Sequence, residues 1–192
     1  HNLMNLRKKI IKRPVITTVE VLVKPISSKH DAFFTGFVHK PYPPIYLELS
    51  RNAAFHSASV IRGTEGGIIP SLRQIGKDHY YDTPGEEDKM YKVKPEDLEI
   101  NDESRAVDIP DDIVRKDTKD KIESKVSATD IAKATVKSGQ EALSGRDGAM
   151  KSCIQLGASI ILQRMTGNDI LKCSKEVLKV IDSGSALKRM KL

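Results

Sequence analysis

Residues 60–69 read VIRGTEGGII, a short apolar run followed by a glycine-rich turn. The turn residues of interest are Gly63, Glu65, Gly66 and Gly67. Glycines after a strand are where α/β enzymes bring the backbone close to a phosphate group, because no side chain blocks the approach. The next two residues, Ile68 and Ile69, carry neither a carboxylate nor a hydroxyl. The stretch therefore predicts a glycine turn after a strand, and it leaves open whether this is a working phosphate and metal loop or one that keeps the shape without the chemistry.

Strand and helix patterns alternate before and after this turn. The predicted strands lie around residues 33–38, 57–63, 78–84 and 88–95, and the predicted helices over 3–12, 44–59, 131–143, 148–165 and 169–184. Ser127 and Asp130 have the spacing of a capping box, and residues 15–25 fit either a strand or a short buried helix. Residues 101–125 alternate charge densely and predict a solvated connection. Strands and helices in alternation, followed by helices alone, indicate an α/β domain.

The composition is that of a globular protein. The 192 residues are 39% apolar and 30% charged, enough for one full domain with a core. No apolar stretch approaches the roughly 20 residues that cross a bilayer, so no membrane insertion is expected. Cys153 and Cys173 have no metal-ligand spacing and predict buried free thiols in a reducing compartment. An intracellular protein, cytoplasmic or organellar, is the resulting expectation.

Several segments in order resemble a known family. They are LRKKIIKRPVITTVEVLVKP (6–25), IRGTEGG (61–67), HYYDTPGEEDKMYKVKPEDLEI (79–100), EALSGRDGAMKSCIQLGAS (141–159) and VIDSGSALKRM (180–190). Their order and spacing resemble the anthranilate phosphoribosyltransferases, glycosyl transferases with the nucleoside phosphorylase–phosphoribosyltransferase fold. The sequence motifs RPVITTVE and RGTEGG are closer to those of the family's less-characterised paralogues. Some of these paralogues are associated with nucleic-acid binding.

The resemblance implies the C-terminal part of a phosphoribosyltransferase-type α/β domain. Residues 26–192 would form this part, with a helical C-terminal end, and residues 1–25 would be a fragment of a small helical domain. In the family that small domain usually forms the dimer contact, so residues 15–25 are expected to be helical and a homodimer through residues 1–25 is implied. The family's glycine-rich pyrophosphate loop would lie N-terminal to His1. The expected partner is therefore a missing N-terminal half or the other chains of an assembly.

The resemblance also implies which metal ligands this chain lacks. In the family an Asp-Glu pair just after the glycine turn holds Mg²⁺, and Ile68 and Ile69 stand at those two positions. Glu65 alone is a poor replacement and is typical of a solvent-facing turn residue. No catalytic residue, metal ligand or cofactor is therefore predicted, and Mg²⁺ is expected only if a missing segment completes a site. Gly157 also stands where the family commonly has a buried Asn.

The basic residues allow several interpretations. The resemblance places Arg7 where the family has an arginine that contacts the aromatic carboxylate substrate, and a guanidinium suits a carboxylate. Arg7 also belongs to a run of basic residues that predicts phosphate or nucleic-acid contact, or a plain solvated face: Arg7, Lys8, Lys9, Lys12 and Arg13. A basic tail follows at Lys188, Arg189 and Lys191. The formal charge of +6 permits an RNA or DNA partner without requiring one.

Three functions follow from these features. The first is a phosphoribosyltransferase-like protein without catalytic activity in this chain. The second is a nucleic-acid-binding or structural subunit of a larger assembly, and the third is the C-terminal half of a transferase completed by another segment.

Four tyrosines have two interpretations: they stack on nucleobases, or they belong to the core and the hairpin. The low aromatic content favours the second interpretation for Tyr42, Tyr46, Tyr80 and Tyr81.

Overall fold

A computed structural model describes residues 16–64, 67–108 and 127–190. The predicted helix over residues 3–12 and most of the charged connection lie outside these ranges. The chain divides into two compact units. The first unit contains residues up to Ile68 together with Lys77–Tyr91, and the second contains Ile69–Gly76 together with the residues from Lys92 onward.

The described strands form one mixed four-stranded sheet, which confirms the α/β prediction. They are β1 (Ala32–Phe37), β2 (Ser57–Arg62), β3 (Gly76–Tyr81) and β4 (Lys89–Val93), in the order β1-β2-β3-β4. Strands β1 and β2 are parallel, and Phe37 lies opposite Arg62. Strands β2 and β3 are antiparallel, and Val60 lies opposite His79. Strands β3 and β4 are neighbours joined by residues 82–88, as the hairpin pattern predicts.

The first unit buries an aromatic core between the sheet and one helix. Helix α1 (Ile16–Val19) and the 3-10 turn Glu20–Leu22 confirm the helical alternative for residues 16–22, but Val19 and Val21 are exposed, so the predicted burial is wrong there. Helix α2 (Tyr42–Asn52) crosses from β1 to β2, as a parallel pair requires. The core residues are Phe33, Phe37, Leu47, Phe55, Ala58, Val60 and Tyr81. Burial of these side chains supplies the main stabilisation of this unit.

Helix α2 ends earlier than the sequence predicts. The pattern predicts a helix over residues 44–59, whereas α2 ends at Asn52 and residues 57–59 belong to β2. The chain leaves the helix at Ala54, which adopts a left-handed backbone with φ of 57°. Alanine gives no sequence signal for such a helix end, because this conformation usually belongs to glycine or asparagine.

The second unit is mainly helical. After the 3-10 turn Pro95–Leu98 it contains α3 (Ala128–Leu143), α4 (Ala149–Thr166), α5 (Ile170–Asp182) and the short α6 (Ser185–Met190). Helix α4 is buried along much of its length and packs on α5. Cys153 of α4 and Cys173 of α5 are both buried free thiols, which confirms the prediction for the cysteines. Helix α6 was not predicted, because its six residues are too few to show a periodic pattern.

Helix capping differs from the sequence prediction at one helix. Ser127 is the residue before α3, but its side chain makes no capping hydrogen bond, so the predicted capping box with Asp130 is wrong. A side-chain cap is present at a different helix, α5, where it is provided by Asp169. Its Oδ1 accepts hydrogen bonds from the backbone nitrogens of Leu171 and Lys172 at 2.9 and 3.1 Å. A carboxylate at a helix N-terminus is favoured because it faces unpaired N–H groups and the positive end of the helix dipole.

Candidate functional site

The glycine turn lies at the carboxyl ends of the parallel strands β1 and β2. In open α/β sheets this edge is where ligands bind. The backbone nitrogen of Gly63 donates a hydrogen bond to the carbonyl oxygen of Phe37 at 3.0 Å, which extends the pairing by one residue beyond β2. The structure therefore places the start of the turn directly beside the end of β1.

Gly67, at the end of the turn, lies against β1. The backbone nitrogen of Gly67 donates to the carbonyl oxygen of Thr64 at 3.2 Å. A Cβ atom on Gly36 would overlap the carbonyl oxygen of Gly67 and would lie 2.7 Å from the backbone nitrogen of Ile68. Only glycine at position 36 leaves room for this approach, so Gly36 positions the turn. The predicted turn residues Glu65 and Gly66 lie outside the described residues.

The side chains that follow the turn are aliphatic and accessible. Ile68 is 36% exposed and Ile69 is 45% exposed. Mg²⁺ is held by carboxylate oxygens together with water, and the side chains of Gly67, Ile68 and Ile69 contain no oxygen. A Mg²⁺ ion held by side chains does not fit at these three positions. Among the described residues no group of three or more His, Cys, Asp or Glu side chains is arranged to hold a metal.

A buried polar pair joins the two central strands of the sheet. Ser59 of β2 donates a hydrogen bond from Oγ to Oδ1 of Asp78 on β3 at 2.5 Å, and both residues are buried. The next residue, His79, lies edge-on to the Phe37 ring with centroids 5.5 Å apart. Burial, aided by the charge of Lys77, lowers the pKa of His79. Sequence analysis missed Ser59 and Asp78, since nothing local shows that a strand residue pairs with one 19 positions away.

The tyrosines divide between core and surface. Tyr81 is 1% exposed, and its hydroxyl donates to the carbonyl oxygen of Phe55 at 3.2 Å, so it belongs to the core. Tyr80 is half-buried, with the Lys89 ammonium 6.0 Å from its ring centroid. Tyr42 is 37% exposed and lies just beyond the end of β1, where its ring contacts Tyr46. The prediction that the tyrosines belong to the core is therefore confirmed for Tyr81. It is wrong for Tyr42, whose side chain is exposed.

Most of the predicted basic contacts fall outside the described residues. These are Arg7, Lys8, Lys9, Lys12, Arg13 and Lys191. Lys188 and Arg189 are exposed at the end of α6. Helix α5 presents three further exposed lysines that sequence analysis did not single out: Lys172, Lys175 and Lys179. Their spacing of three and four residues places them on one face of the helix.

Helix α4 buries an amide at Gln155. Its Nε2 donates to Ser174 Oγ at 2.8 Å and to the carbonyl oxygen of Leu98 at 3.3 Å. Gly157 is also buried in α4. Through these two hydrogen bonds Gln155 connects α4 to α5 and to the 3-10 turn Pro95–Leu98. Its role is structural, because each of its two N–H groups is directed to a partner within this unit.

Solved structures with similar architecture support the fold assignment. The chain superposes on anthranilate phosphoribosyltransferase from Saccharomyces cerevisiae in complex with 4-fluoroanthranilate, with a TM-score of 0.70 and 15% sequence identity. This chain has a phosphoribosyltransferase-like fold. The match covers 98% of the chain but 49% of the yeast enzyme, so the chain spans about half the length of the structures it resembles. The expected partial phosphoribosyltransferase fold is thereby confirmed.

Two further structures of the yeast enzyme match in the same way. A variant with Mg bound gives a TM-score of 0.71, and the complex with PRPP and Mg gives 0.68, both at 15% identity and 98% coverage of the chain. They cover 49% and 48% of the respective yeast chains. No protein-family profile matches the sequence, and no curated protein matches it. None of the helices in the described ranges is both long and apolar enough to cross a membrane.

Proposed function

We propose that this chain is a phosphoribosyltransferase-like protein that does not itself carry out phosphoribosyl transfer. Ile68 and Ile69, at the turn where the family has its metal-binding carboxylates, carry the proposal. In this reaction pyrophosphate leaves from a cationic, oxocarbenium-like ribose, and Mg²⁺ offsets the charge on the leaving oxygens. Two aliphatic side chains supply no ligand for that ion. They also present carbon, rather than a hydrogen-bond donor, to a polyanion.

The shape of the turn supports the same conclusion. Its approach to Gly36 and the hydrogen bond from Gly63 to Phe37 place backbone at the edge of the sheet where such enzymes bind phosphate. The position of Gly63 and Gly67 supports a binding role for the turn, while the side chains of Ile68 and Ile69 supply no metal ligand. A protein of this kind would keep the fold for binding or assembly.

Paramagnetic Mn²⁺, used in place of Mg²⁺, tests the proposal directly. We expect no saturable broadening of the amide signals of Gly67, Ile68 and Ile69 in the ¹H–¹⁵N spectrum of the natural chain. The double variant Ile68→Asp/Ile69→Glu should gain such broadening, because it restores two carboxylates on an unchanged turn. Ile75→Asp is the matched control, since it adds a carboxylate at an equally exposed isoleucine elsewhere. Saturable, Mg²⁺-dependent binding of phosphoribosyl diphosphate to the natural chain would contradict the proposal.

The length of the similar structures favours one alternative. Because those enzymes are about twice as long as the match, this chain could be the C-terminal half of a transferase completed by another segment. Isolation of the protein from its source, with intact-mass measurement, identifies any such segment. Consumption of phosphoribosyl diphosphate by the isolated complex would then support the alternative, provided that it depends on Mg²⁺.

Exposed basic side chains favour a second candidate function, the binding of nucleic acid. Lys172 and Lys179 on α5, with Lys188 and Arg189 on α6, form no ion pair within the described ranges. The same face of α5 also carries two acidic residues, Asp169 and Glu176, so its excess of positive charge is small. Lys188 and Arg189 of α6 add further positive charge. Such contacts neutralise phosphates without reading sequence.

Salt dependence tests this second candidate. We expect the affinity for a single-stranded oligonucleotide to fall linearly with salt on a log–log plot, by about 0.7 in slope for each phosphate contact. The variant Lys172→Glu/Lys179→Glu should weaken binding and reduce that slope. Lys137→Glu, an exposed lysine on α3, is the matched control. If the natural chain and the α5 variant bind the oligonucleotide equally tightly, this face of α5 does not contact nucleic acid.

A further inference from the structure

We propose that His39 and Tyr42 form a stacking surface for the unpaired bases of single-stranded nucleic acid. The inference rests on the nucleic-acid-binding candidate described above and adds a second, base-contacting site to it. Both residues lie in the first unit, immediately beyond the carboxyl end of β1. They follow the strand edge beside which the glycine turn begins.

A continuous series of aromatic contacts leads from the core to this surface. The ring of Phe33, in the core, lies 6.4 Å from that of Tyr46. Tyr46 lies 5.8 Å from Tyr42, with an angle of 32° between the ring planes, and Tyr42 lies 6.2 Å from His39 at 39°. Tyr42 and Tyr46 are four residues apart on α2 and therefore share a helix face. The inner rings hold the outer ones in place.

The outer two rings are accessible to a ligand. Tyr42 is 37% exposed and His39 is exposed. The local backbone is restrained, since Pro41 and Pro43 flank Tyr42 and the Tyr42 nitrogen donates to the carbonyl oxygen of His39 at 3.1 Å. A base that stacks on rings already held in place loses less conformational freedom than one that must order them.

The charge around these rings suits a polyanion. Residues 32–47 and 57–64 contain no Asp or Glu. Lys40, which lies between His39 and Tyr42 in the sequence, is exposed, and Arg62 of β2 lies opposite Phe37 in the strand register. Neither basic residue forms an ion pair with any part of the chain that the structure describes. Exposed aromatic rings beside basic side chains are the combination with which proteins bind single-stranded nucleic acid.

The absence of tryptophan makes stacking directly measurable. The chain has five tyrosines and no Trp, so its intrinsic fluorescence comes from tyrosine. The probes are a short oligothymidylate, an abasic oligodeoxynucleotide of equal length, and thymidine monophosphate. We expect the oligothymidylate to quench tyrosine fluorescence and to bind about tenfold more tightly than the abasic strand, since one stacked base typically contributes that much.

Substitutions of Tyr42 and His39 in the full chain test whether these two rings cause the tighter binding of the oligothymidylate. Tyr42→Ala and His39→Ala should each reduce oligothymidylate affinity severalfold while leaving abasic binding unchanged. Tyr42→Phe should retain affinity because it keeps the ring, and it should lose part of the quenching. Tyr91→Phe, on β4, is the matched control that removes a tyrosine elsewhere. Retention of the natural circular dichroism spectrum identifies the variants that fold.

The outcomes separate this inference from the candidate on which it rests. Equal binding of both strands without quenching would overturn the stacking surface while leaving phosphate contact by lysines intact. No binding of either strand would overturn both. Thymidine monophosphate that binds as tightly as the oligothymidylate would contradict a single-stranded nucleic acid as the ligand, because neighbouring phosphates would then contribute nothing.

Discussion

The carbonyl oxygen of Gly67 occupies the space that a Cβ atom on Gly36 would need. The turn after β2 and the strand β1 are therefore in backbone contact, and the absence of one methyl group permits it. This contact places the start of Ile68 over the carboxyl end of β1. Gly67 and the backbone nitrogen of Ile68 are thus held at the edge where open α/β sheets bind ligands.

Gly36→Ala should destabilise the chain and displace the turn. Insertion of a methyl group against backbone costs about 1–3 kcal/mol, because backbone cannot move aside as a flexible side chain can. Urea unfolding measures the change, and the amide shifts of Gly67 and Ile68 report the displacement. Gly139→Ala in α3 is the control, since nothing lies within 4 Å of its Cβ position and the change should stabilise by about 0.5–1 kcal/mol. A Gly36→Ala variant with natural stability and shifts would exclude the contact.

Arg51→Ala should loosen the loop between β3 and β4. The Arg51 guanidinium donates to the carbonyl oxygens of Pro84 and Glu86 at 2.9 and 3.0 Å and to Asp88 Oδ1 at 2.6 Å. It also lies 4.2 Å from the ring centroid of Tyr81. We expect a loss of about 1–3 kcal/mol, and Arg51→Lys should recover only part of it because an ammonium cannot reproduce the planar fork.

Lys89→Ala provides the contrast to Arg51→Ala. Lys89 binds Asp82 and Glu86 in the same loop, but all three side chains are substantially exposed. Its removal should cost less stability than the removal of Arg51, because solvent screens exposed ion pairs. Limited proteolysis within residues 82–88 together with urea unfolding measures both variants. Equal effects of the two substitutions would show that charge, rather than the guanidinium fork, holds the loop.

Asp31 should contribute stability that is lost at low pH. The ammonium of Lys24 at 2.6 Å, with hydrogen bonds from Ser28, lowers the pKa of Asp31 to about 2. Because the folded-state pKa lies below the ordinary value of 3.8, this contribution is complete above that value and disappears as the pH falls toward 2. Asp31→Asn should therefore flatten the dependence of unfolding free energy on pH within this interval. Asp108→Asn, which removes a carboxylate at an exposed position, is the matched control.

Gln155→Ala should destabilise the helical unit by about 2–4 kcal/mol, since it creates a cavity and leaves the Leu98 carbonyl with one fewer donor. Ser174→Ala should cost less, about 1 kcal/mol, because Gln155 still donates to Leu98. Thermal or urea unfolding of both variants checks the order. A Gln155→Ala variant as stable as the natural chain would show that the buried amide contributes nothing.

Local patterns explain most of the secondary structure that was predicted. Apolar runs, turn residues and helical periodicity within short windows of sequence predict the strands β1 to β4 and the helices α3 to α5. The end of α2 at Ala54 and the short helix α6 lack such signals. The capping box at Ser127 failed because residue spacing alone does not determine the side-chain rotamer.

The sequence by itself determined the α/β class, the position of the glycine turn and the aliphatic character of Ile68 and Ile69. These properties depend on residue type and on neighbours close along the chain. Tertiary structure alone decided that Gly36 supports the turn, that Ser59 pairs with Asp78, and that Tyr81 is core. It also decided that the rings of Tyr42 and His39 remain accessible while Tyr46 packs against Phe33 of β1. Such relationships join residues on different elements, and their free energies exist only once the chain has folded and brought those elements together.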